Sequence, residues 1–105
     1  MLGAEPLEIE AVIAFFRKHI GHELDIVISL FDGFSQRERL QVAEVGEPGP
    51  RRHRVRLISS HSHWELEIDL DHFSYATVSR DKSEVEIQRL LGNGLRFQLI
   101  ASEIR

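Results

Sequence analysis

Residues 61–72, HSHWELEIDLDH, hold the densest set of side chains able to do chemistry: His61, His63, Glu65, Glu67, Asp69, Asp71 and His72. Imidazole and carboxylate are the donors that a first-row metal takes where thiolates are lacking, and this chain has no cysteine. The same composition excludes disulfides, thiolate metal sites and thiol nucleophiles. On an extended chain His61 and His63 point to one face and could share an ion. Glu67, two strand steps beyond His63, stands ~13 Å further along a straight strand. It joins the histidines only if the strand bends sharply.

His61, His63 and Glu67 resemble the first metal motif of the cupin family, in which a histidine pair and a following glutamate hold a metal inside a double-sheet barrel. The resemblance implies a metal-dependent enzyme using His61, His63 and a third ligand. It covers these three residues alone. The glycines expected on both sides are absent, and His72, the only later histidine, follows too closely for the family's second motif. Read from the residues themselves, odd positions 61 to 71 form a run of polar side chains, while Trp64, Leu66, Ile68 and Leu70 occupy the even positions. That is the pattern of a strand with one wet face, and it assigns no catalytic residue, no cofactor site and no metal ligand set.

Positioning this face requires a partner strand. Residues 52–59 and 62–70, joined around Ser60-His61, are expected to pair with Leu57 against Trp64, Val55 against Leu66 and His53 against Ile68. The same register sets Arg56 opposite Glu65, Arg54 opposite Glu67 and Arg52 opposite Asp69, so one assumption sorts both the apolar side chains and the charges. A one-residue slip would set apolar groups against charged ones along the ladder. The basic tract at 51–54 thus finds its counter-charges within its own sheet.

The flanking elements follow from period. Residues 6–20 read as a helix, with Pro6 at its first position, acids at its start, Lys18 and His19 at its end, Gly21 as stop, and Ile9, Val12, Ile13, Phe16 and Ile20 as one apolar stripe. Leu24, Ile26, Ile28 and Leu30 then alternate with period two up to the turn signal Asp32-Gly33. A second strand holding Leu40 and Val42 shares their face if the connection has odd length, although Ser35 and Glu38 also spell a helix capping box. The stretch 46–51, GEPGPR, is a loop. Asp71-His72 is expected to turn the chain into a strand at 73–78, with Phe73 against Leu70 and Tyr75 against Ile68. Ser83 to Glu86 spells a capping box that favours a short helix at 84–91, because Leu90 and Leu91 are adjacent. The competing reading makes 84–91 a strand that turns at Asn93-Gly94. The stretch 95–104 is apolar on both faces, as in a central or doubly covered strand.

These elements predict a single α+β domain over 1–105: an N-terminal amphipathic helix packed on a curved antiparallel sheet of about six strands, with a second short helix near 84–91. The composition, 42% hydrophobic and 29% charged, is that of an ordinary soluble domain, and no apolar run approaches the ~20 residues that span a bilayer. A net charge of -4 argues against nucleic-acid binding. No phosphate loop or nucleophile elbow is present. The leading expectation is a cytoplasmic, noncatalytic protein-binding domain, such as a small inhibitor or toxin-neutralising, immunity-like protein. It would hold a basic partner on Glu65, Glu67, Asp69 and Asp71, or use an exposed strand edge, which could also pair with a second copy. The alternatives are the metal-dependent enzyme and a small-molecule binder whose cavity between helix and sheet is lined by Phe16, Trp64 and Tyr75.

Overall fold

A computed structural model describes residues 6–31, 34–46, 49, 52–61 and 63–104. One helix, α1 (Ile9–Lys18), precedes seven strands: β1 (Glu23–Phe31), β2 (Phe34–Val45), β3 (Arg54–Ile58), β4 (Glu65–Asp69), β5 (Tyr75–Val78), β6 (Glu84–Leu90) and β7 (Arg96–Glu103). They form one antiparallel sheet in the order β4-β3-β2-β1-β7-β6-β5. The expected α+β architecture is present, with seven strands where about six were expected.

Chain lengths dictate that the sheet curls. Only a 3-10 turn, Leu70–His72, and two further residues separate β4 from β5, a reach of at most ~22 Å. In a flat sheet these two outermost strands would stand ~29 Å apart. Right-handed strand twist supplies the curvature, and α1 lies in the concavity. Just before the helix Leu7 bridges to Ala76 of β5, and just after it Ile20 bridges to Val42 of β2. Gly21 adopts φ +84, as a helix stop does, and its N–H donates to the Val42 carbonyl.

The core fills the space between helix and sheet. Val12, Ile13, Phe15 and Phe16 of α1 meet Leu24, Ile26, Leu40, Val42, Val55, Leu57, Ile68, Ile87 and Leu99, all buried. The helix is shorter than the 6–20 expected. Pro6 lies in an extended segment beside β5, Ile20 is 46% exposed, and Phe15 is buried where the stripe omitted it. Ending the helix at Lys18 rotates Ile20 out of the stripe.

β1 and β2 pair in the expected parity, Leu24 opposite Leu40 and Ile26 opposite Glu38. The turn signal at 32–33 lies outside the described residues. Past Val42 a bulge at Ala43 keeps both Val42 and Val45 facing inward. Gly46, at φ +52, then turns the chain so tightly that a Cβ there would collide with the Arg52 carbonyl.

The helix expected at 84–91 is β6. Val85 and Ile87 are buried against Ala101 and Leu99 of β7, while Leu90 is 63% exposed, so period two and cross-strand burial override the paired leucines. Ser83 serves a turn instead of a cap, its N–H donating to Asp81. The three-residue turn Gly92–Gly94 joins β6 to β7, in line with the competing strand reading. β7 is central, between β1 and β6, as its two apolar faces require. The expected pairing of Phe73 with Leu70 and Tyr75 with Ile68 does not form. β5 pairs with β6, and the 3-10 turn, capped by the Asp69 carboxylate accepting from the Asp71 N–H, carries the chain to the far end of the sheet.

Candidate functional site

β3 and β4 position the charged face. Val55 opposes Ile68, Leu57 opposes Leu66, and Arg56 opposes Glu67. The backbone register is thus two residues away from the one expected. A two-residue slide preserves parity, so the division into apolar and ionic sides holds: Leu57 and Ile68 are buried, and Glu65 and Glu67 are exposed. Two of the three expected ion pairs also form, on the diagonal. Arg56 Nη1 lies 2.7 Å from Glu65 and Arg54 Nη1 lies 2.8 Å from Glu67, while Arg56 Nη2 reaches Glu44 of β2 at 2.8 Å. The Glu65 carboxylate first, then Glu44, holds the Arg56 guanidinium still more firmly protonated. Arg52 pairs with Glu10 of α1, at 3.4 Å, and not with Asp69.

His61 and His63 sit in the turn between β3 and β4, both exposed, and Glu67 is engaged by Arg54. Among the described residues no three histidines, aspartates or glutamates converge as a metal site would. The single sheet also differs from a double-sheet barrel. Phe16, Trp64 and Tyr75 share no cavity: Phe16 is wholly buried, Trp64 packs on the core, and Tyr75 alternates with buried Ala76, which sends it to the convex face.

Asp71 has a different role from Glu65, Glu67 and Asp69. Its carboxylate lies 2.6 Å from His53 Nδ1, and Glu10 Oε2 lies 2.7 Å from His53 Nε2. The imidazole side chain is only 13% exposed. The hydrogen bond to Asp71 and then that to Glu10 raise the His53 pKa, and the His53 hydrogen bond lowers that of Glu10. A carboxylate within hydrogen-bonding distance of each ring nitrogen favours the protonated ring, although Arg52 Nε also lies 3.2 Å from Nε2. His53 is a clamp between α1, the start of β3 and the 3-10 turn. Sequence spacing could not reveal it, because Glu10 is 43 positions away from His53. A second histidine, His19, joins the end of α1 to β7 through Glu103, at 2.9 Å.

The two edges of the sheet differ. At the β5 edge Ala76 donates to the Pro6 carbonyl and accepts from the Glu8 N–H, and the Val78 N–H donates to the Glu8 carboxylate. That edge is filled by the chain itself. At the other edge, Ser59 donates to Trp64 and Leu70 donates to His53. This phase directs the backbone groups of Leu66 and Ile68 toward β3 and those of Glu65, Glu67 and Asp69 away from it. Among the described residues no strand lies beyond them. A cleft of about 340 Å3 runs along this edge, lined on its apolar side by Leu66, Phe73, Leu91 and Phe97. Arg89 is also among its lining residues.

No protein-family model matches this chain, and no curated protein is similar in sequence. The crystal structure of the Bacillus subtilis YojF protein is similar in fold, with a TM-score of 0.62 and 18% identity, over 95% of this chain and 94% of that one. Agreement at this identity extends to the fold.

Proposed function

We propose that this is a noncatalytic, cytoplasmic protein-binding domain that captures an extended segment of a partner by strand addition at β4. The observation that carries this reading is the asymmetry of the sheet. The β5 edge is occupied by residues 6–8, while the β4 edge presents the backbone of Glu65, Glu67 and Asp69 beside an apolar cleft. Main-chain hydrogen bonds would supply affinity there, and the alternating side chains specificity. A cysteine-free composition fits a reducing compartment, and among the described residues no helix is long and apolar enough to cross a membrane.

Proline at position 67 tests the reading, because the Glu67 N–H points outward and its loss spares the β3–β4 ladder. Wild-type, Glu67→Pro and Glu67→Gln proteins, matched for folding by thermal denaturation, are used as bait in the native lysate. A partner retained by wild type and by Glu67→Gln but lost from Glu67→Pro is the expected outcome. Full retention by Glu67→Pro would move the interface off this edge.

A further inference from the structure

Resting on the β4-edge reading, we infer that the segment received there is one in which lysine or arginine alternates with apolar residues, and that a second copy of this chain is refused. The argument is the sign of charge from strand to strand across the convex face. Along one row, Glu44 of β2 is followed by Arg56 of β3 and Glu67 of β4; along the next, Arg54 of β3 is followed by Asp69 of β4. Each row ends in an acid at the edge, and Glu65 ends a third behind Ile58. An added strand places its own convex-side residues directly beside these three acids, where opposite charge is favourable and like charge unfavourable.

The other side of the added strand meets different chemistry. Its intervening residues face the cleft on the side of Leu66, Phe73, Leu91 and Phe97, where Arg89 is also among the lining residues, while Glu67 and Asp69 line the cleft at the β4 edge. Apolar groups fit beside those four side chains, and a cation there would share the cleft with Arg89. The ligand is therefore basic at every other position only. β3 is the internal precedent: its arginines at 54 and 56 alternate with buried Val55 and Leu57 against the opposite edge of β4.

The same geometry disfavours self-association. Two copies joined through one edge by a two-fold axis must pair antiparallel. Their outward-directed residues then oppose one another, and the register that overlaps the whole strand sets Glu67 against Glu67 and Glu65 against Asp69 of the other copy. Head-to-tail pairing with β5 is blocked because residues 6–8 already occupy that edge.

Three synthetic heptapeptides test the inference by titration against the full chain: arginine alternating with valine, glutamine with valine, and glutamate with valine. Amide exchange at Glu65, Glu67 and Asp69 locates the binding. The expected order is arginine, then glutamine, then glutamate, with about tenfold or more between the extremes. The arginine peptide should weaken in salt, protect those three amides, and lose its binding to Glu67→Pro. Equal binding of all three peptides with loss in Glu67→Pro would overturn the charge rule while leaving the edge as the site. Arginine-peptide binding untouched by Glu67→Pro, or no binding by any peptide, would overturn edge recognition itself.

Discussion

His53 decides more at the level of single residues than the histidines whose spacing first attracts attention. His61 and His63 are exposed in a turn, whereas His53 is clasped by Asp71 and Glu10 and joins three elements. Its pKa is raised in the folded chain, so its contribution to stability is fully present below the ordinary value of 6.5 and is lost as pH rises through the folded value. Glu10 works in the opposite sense: its pKa is lowered, so its share is present above 4.5 and disappears as pH falls through the folded value. Replacing His53→Gln should cost about 1 kcal/mol at pH 6, a figure discounted for the exposure of both carboxylates. It should also flatten the decline of stability on the alkaline side. Chemical denaturation of both proteins across pH 5–9 reads this difference; parallel profiles would show that the clamp contributes nothing.

Among the elements, β6 is where local spelling and cross-strand burial disagree. Ser83 to Glu86 and the adjacent Leu90 and Leu91 favour a helix, yet Val85 and Ile87 find a buried row formed by Leu99 and Ala101, which local spelling does not reveal. The two arrangements assign opposite importance to neighbouring apolar residues. In the strand, Ile87→Ala removes a fully buried side chain and should cost about 2–5 kcal/mol. Leu90→Ala, at a site 63% exposed, should stay within about 0.5 kcal/mol. Urea denaturation separates them, and a comparable loss at Leu90 would restore the helical reading. The hairpin of β3 and β4 is the converse case. Alternation settled its faces and two of its three ion pairs, while a slide of two residues, invisible to parity, was left open.

For the molecule as a whole, the edges of the curled sheet matter most, and they connect topology to recognition. If the acidic row sets partner chemistry, Glu65→Lys, Glu67→Lys and Asp69→Lys together should leave the fold intact at a lowered melting temperature, since they remove surface ion pairs with Arg54 and Arg56 and the cap at Asp71. Preference should then invert from the arginine–valine to the glutamate–valine heptapeptide, as read by titration calorimetry, and an unchanged preference would detach specificity from these residues. The order of periods along the chain by itself determined the α+β class, the amphipathic helix, the inward faces of β1 to β4, the central place of β7 and the match of basic tract to acidic tract. Each of those depends on neighbours in sequence or on two strands sharing one turn, so spacing and side-chain type suffice. Only the tertiary structure decided that β4 and β5 stand at opposite ends of one sheet, that residues 6–8 fill one edge, and that Glu10 reaches His53. These arise because accumulated strand twist folds the sheet around α1, and contacts between residues dozens of positions apart appear only once that curl exists.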